Sequence, residues 1–162
     1  MTALAPRRCV AAVITDGPEA VTVARYAVRL AAEEDRPLVL LVPVLRSAFT
    51  SDAVIAARVR REALREAEAI AARTTPALES AGIPARVEVV WHRRCSFHRA
   101  HQVRAIAVAH AAHTIGAAVV VTPAEVPVPT VRHGTEVVLV AEAGGSMFRM
   151  PRPARSRRLA QL

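Results

Sequence analysis

The chain is 162 residues long, 52% hydrophobic and 22% charged, which suits one packed domain and excludes a disordered chain. Aromatic residues make up only 3%, so the core must be aliphatic, and the ring platforms on which single-stranded nucleic acid stacks are excluded. The net charge of +8 is concentrated at one end: all the acidic residues precede Gly144, while Arg149, Arg152, Arg155, Arg157 and Arg158 follow it.

In chain order, Cys9 to Thr15 is a short apolar run that stops at Asp16-Gly17-Pro18-Glu19, the pattern of a buried strand entering a turn. Asp16 is expected to cap the next helix, with Glu19 completing a capping box. Ala20, Val23, Ala24, Ala27, Leu30 and Ala31 then recur at helical spacing, until Asp35-Arg36-Pro37 ends the helix. Leu38 to Leu45 is almost wholly apolar, so it predicts a second strand covered by helices on both faces. Ser51 is expected to cap a long helix to about Arg73, broken at Thr74-Thr75-Pro76 and resumed to a Gly82 C-cap. A third strand is predicted over Arg86 to Trp91, and a third helix from a Ser96 cap through Phe97 to about Thr114. A fourth strand covers Ala117 to Thr122 and a fifth Glu136 to Ala141, with a proline-rich connection between them.

This alternation specifies an α/β fold: an open parallel sheet of about five strands with right-handed crossovers. The domain spans residues 7–143, and residues 144–162 read as a basic, disordered tail. Cys9 and Cys95 suggest no disulfide framework, and Met1 to Arg8 contains no apolar signal segment, so a cytoplasmic protein with no membrane contact is expected.

Several segments, taken together and in order, resemble the universal stress protein family over about Arg7 to Ala141. They are Val13-Ile14-Thr15-Asp16-Gly17, Leu38-Val39-Leu40-Leu41-Val42, Ala81-Gly82-Ile83-Pro84-Ala85-Arg86-Val87-Glu88-Val89-Val90 and Ala117-Ala118-Val119-Val120-Val121. The resemblance implies that family's adenine-nucleotide alpha-hydrolase-like architecture. It also implies an ATP site with Asp16 and Gly17 near the base and ribose, Val42 near the adenine, and a glycine-rich phosphate loop after the fourth strand. A homodimer through the last strand is implied as well. Here the phosphate loop reads Thr122-Pro123-Ala124-Glu125-Val126-Pro127, with no glycine before Gly134. Proline offers no N–H and Glu125 repels phosphate, so no cofactor is expected and ATP binding is read as lost. About twelve residues separate the last two strands, which shortens the final crossover. Val126 to Val131 can also run extended into a hairpin across His133-Gly134, which would make the last strand antiparallel.

No catalytic constellation assembles from the remaining residues. His92, Cys95, His98 and His101 recur every third residue but cross a strand-to-helix loop, so they read as a solvated face and no metal site is expected. His110 falls on the apolar stripe of the third helix and is expected in the core or at a subunit contact. Arg93, Arg94 and Arg99 surround the start of that helix, where arginines and a helix N-terminus favour an anion. The sequence thus predicts a regulatory module rather than an enzyme, acting through protein contacts or a small anion. The alternative is a nucleotide binder using Asp16 with the Arg93/Arg94/Arg99 turn. The basic tail, Ser146 to Leu162, offers nucleic acid only an electrostatic contact and reads as a solubilising extension, so no nucleic-acid partner is expected.

Overall fold

The computed structural model describes residues 8–46, 51–93, 99–129, 134–140 and 147–149. They form β1 (Val10–Val13), α1 (Ala20–Glu33), β2 (Leu38–Arg46), α2 (Ala53–Ala72), α3 (Thr75–Ala81) and β3 (Ala85–Arg93). These are followed by α4 (Ala100–Thr114), β4 (Val119–Pro123), β5 (Glu136–Val140) and β6 (Met147–Arg149). The strands make one sheet in the order β3-β2-β1-β4-β5-β6. All neighbours are parallel except β5 and β6, which run antiparallel.

The α/β architecture follows from the strands being apolar on both faces. All four β1 residues are buried, as are all five of β4. Such strands need cover above and below. On one face, Val10, Ala12, Leu40 and Val42 pack with Val23, Ala27, Ala67 and Ala71 of α1 and α2. On the other, Val13, Val39, Leu41 and Val90 pack with Ala105, Val108 and Ala112 of α4. Alanine dominates the helical side of both layers, which lets the helices sit close to the sheet.

Three sequence expectations change at the helix ends. Asp52, rather than Ser51, caps α2: its carboxylate accepts from the backbone N–H groups of Val54 and Ile55 at 2.8 and 3.2 Å. The N-cap of α1 is Glu19, with no side-chain cap bond, so Asp16 does not cap it. The buried stripe of α4 is Ala105, Val108 and Ala112, and His110 is exposed, so that histidine is not in the core. Gly82 does close α3 in the left-handed conformation, with φ 64°.

β5 runs parallel to β4, contrary to the hairpin alternative. Glu136 N–H donates to the Ala118 carbonyl at 2.9 Å, and Ala124 N–H to the Val140 carbonyl at 3.1 Å. The crossover from β4 to β5 contains no helix among the described residues. Instead Val126 and Val128 turn inward and join the core on the α4 side. Thr122 Oγ1 pins the loop by donating to the Val126 carbonyl at 2.8 Å. The sheet also extends beyond the expected five strands: Met147–Arg149, within the segment read as tail, pairs with Val138–Val140.

Candidate functional site

Strand order reverses between β1 and β4, and in open α/β sheets ligands bind at the carboxyl ends of the strands flanking such a point. Thr15 and Glu125 come together there although 110 positions separate them. The Thr15 hydroxyl donates to Glu125 Oε1 at 2.6 Å and accepts from the Gly17 N–H at 3.3 Å. A Cβ on Gly17 would lie 2.7 Å from Glu19 Oε2, 3.2 Å from Thr15 Oγ1 and 3.3 Å from Glu125 Oε1. A side chain at this position would have to displace the Glu19 carboxylate, the end of a flexible side chain. Glu19 Oε2 is buried and has no hydrogen-bond partner. The crevice floor is thus a hydroxyl and two carboxylates, an environment that favours donors and opposes anions.

Asp16 is exposed beside this floor, and its carbonyl accepts from Arg73 Nη1, which ties the end of α2 to the crevice. Val42 is fully buried in the α1–α2 layer, so it presents no surface to an adenine. β3 runs on through Arg93, which is exposed. Arg99 is the N-cap of α4, which starts at Ala100 rather than Phe97, and it makes no side-chain cap bond. Arg94, Cys95, Ser96, Phe97 and His98 lie outside the described residues. Among the described residues no three of His, Cys, Asp and Glu converge on a metal-sized site.

His92, near the end of β3, feels the charge of Arg104 on α4, a pair that sequence reasoning did not join. His92 is buried, with 7% of its surface exposed. Burial pushes its pKa below the usual 6.5, and the positive charge of Arg104 on α4 pushes it further. Arg104 Nε is itself buried without a partner. The available signal was strand alternation, which sets His92 on the same face as buried Val90. Grouping His92 with Cys95 and His98 obscured it. Just before β1, burial raises the pKa of the Cys9 thiol, which opposes the thiolate that nucleophilic chemistry needs.

A universal stress protein solved in complex with cAMP superimposes with a TM-score of 0.57 at 16% identity, covering 84% of this chain and 98% of that one. The chain has the universal stress protein fold. A universal stress family protein from Burkholderia pseudomallei aligns with a TM-score of 0.46 at 17% identity, covering 74% of this chain and 83% of that one. No protein-family profile and no curated protein matches the sequence. The β4–β5 connection is the segment that brings Glu125 to Thr15. No helix among the described residues is long and apolar enough to cross a membrane.

Proposed function

We propose that this chain is a non-catalytic regulatory module of the stress-response type, acting through protein contacts or a small anion, with the ATP site lost. The observation that carries this reading is the 2.6 Å hydrogen bond from Thr15 to Glu125 at the strand-order reversal. A phosphate entering there would meet Glu125 and the unpartnered Glu19 oxygen instead of a run of backbone N–H groups. Pro123 and Pro127 offer no N–H on either side.

The test is calorimetric titration of the full-length chain with ATP to millimolar concentration, together with an assay for phosphate released from ATP. The expected outcome is no saturable heat and no release. Saturable ATP binding that disappears in Asp16→Ala would overturn the loss of the site. That result would favour the second reading, a nucleotide binder using Asp16 with Arg93, Arg94 and Arg99. The cAMP held by the structural relative is the observation in its favour, so cAMP belongs in the same titration.

A homodimer through the last strand is the assembly this reading carries. In the monomer β6 lies against β5, so pairing through β5 requires β6 to leave that edge.

A further inference from the structure

β3 stands at one end of the strand order β3-β2-β1-β4-β5-β6, so one side of its backbone has no neighbouring strand among the described residues. Its nine residues make a long edge, and a row of unpaired N–H and carbonyl groups of that length is a template for another strand. The first half of the strand is the open part. Arg86 and Val87 are exposed there, with 45% of the Val87 surface accessible, whereas Val90 and His92 further along are buried. Alternation sorts these side chains by face. Arg86 and Glu88 lie on the face of Val90, which packs in the α4 layer. Ala85 and Val89 lie on the other face, against the α1–α2 core, and Val87 stands half-exposed between them.

A charged edge opposes pairing with an arbitrary strand. The spacing on β3 leaves one exception, because Arg86-Val87-Glu88 is its own complement. Let two copies run antiparallel about a two-fold axis at Val87. Arg86 of each then stands opposite Glu88 of the other, Val87 meets Val87 of the second copy, and Ala85 meets Val89. Directly opposed residues bring their Cβ atoms to about 5 Å, where opposite charges and β-branched side chains attract. Moving the axis to residue 86 or 88 sets Arg86 on Arg86 or Glu88 on Glu88. A one-residue slip sets Arg86 on Val87 or Val89. The charges thus select a single register.

We propose that the open half of β3 is a homotypic interface, occupied by β3 of a second copy paired antiparallel about Val87. The contact lies at the sheet edge opposite β6, so it is separate from a dimer through the last strand and requires no strand to leave. It does not depend on the state of the ATP site. The matched stretch from Ala85 to Val89 spans about 17 Å, a short ladder, so the pairing is reversible and rises with protein concentration.

The experiment is sedimentation equilibrium of the full-length chain over a range of concentrations, alone and as charge-reversed variants. The unaltered chain is expected to gain mass with concentration. Arg86→Glu sets acid against acid and Glu88→Arg base against base, so each is expected to weaken association about tenfold. An equimolar mixture of the two variants restores it, because the acidic edge of one chain meets the basic edge of the other. That restoration separates a contact between chains from the 2.9 Å Arg86–Glu88 pair within one chain, which neither variant regains in the mixture. Arg61→Glu, an exposed reversal on α2 with the same change of net charge as Arg86→Glu, leaves association as it is. Should either reversal fail to fold, Val87→Lys decides, since it sets two ammonium groups face to face and must also weaken association. The proposal is overturned by an unaltered chain that stays monomeric, by folded variants that associate as the unaltered chain does, or by a mixture no heavier than its separate components.

Discussion

A buried imidazole next to a guanidinium is neutral at pH 7, and that makes His92 a measurable contributor to acid sensitivity. Its pKa in the fold lies below the 6.5 of an unperturbed histidine, first through burial and then through Arg104, the charged group that bears on it. Between 6.5 and the folded value the unfolded chain therefore binds the extra proton. The contribution of His92 to stability is whole above pH 6.5 and is lost as pH falls through that window. The melting temperature of the unaltered chain should drop more steeply below pH 6.5 than that of His92→Gln. Parallel pH profiles for the two proteins would show that the ring is not held neutral by the fold. The same residue-scale logic separates Thr15 from Asp16. Both sit in the first turn, but only Thr15 is buried, and its side chain reaches across to Glu125 in the β4–β5 connection.

Among the elements, the β4–β5 connection departs most from what periodicity suggests. It has no helical spacing and three prolines at 123, 127 and 129, so it reads as an exposed loop or half of a hairpin. In the fold Val126 is fully buried and Val128 nearly so, and both cover the sheet beside α4. This cover is what allows so short a crossover to close a parallel pair, a connection that ordinarily needs a helix. Val126→Ala removes two buried methylene equivalents and is expected to cost about 2 kcal/mol by urea denaturation. A cost below about 0.5 kcal/mol, the level of an ordinary surface change, would mean that the loop is not part of the core. α4 carries a related lesson. Valine, alanine and isoleucine surround it so evenly that the sequence pointed to a stripe through His110, whereas packing selected Ala105, Val108 and Ala112 and left Ile106 exposed.

At the scale of the molecule, the two edges of the sheet are protected differently. β3 is an edge strand of nine residues that carries Arg86 and Glu88, paired at 2.9 Å, and charge of this kind discourages edge-to-edge pairing in any but the matched register. β5 is apolar through Val137-Val138-Leu139-Val140, and β6 pairs with its outer side. A chain ending at Ala143 exposes that row of backbone groups, so it should self-associate more strongly than the full-length protein in light scattering at equal concentration. Equal masses would remove β6 as the guard of that edge and with it the requirement that it leave before β5 can pair. The basic arginines beyond Gly144 thus begin where the chain adds a strand, and composition alone had assigned that whole stretch to a tail.

The sequence by itself determined the element order as far as β5, the parallel α/β class, the Gly82 cap and the likeness to universal stress proteins. All of these depend on local periodicity, turn chemistry and apolar runs that any window of the chain displays. It also located the anomaly after β4, because missing glycines and added prolines are visible without coordinates. Only the tertiary structure decided that Glu125 meets Thr15, that Val126 replaces part of a helix, that β6 joins the sheet, and that Arg104 lies by His92. Each of these joins segments whose relative register is fixed by packing across the sheet, and no spacing within either segment encodes it.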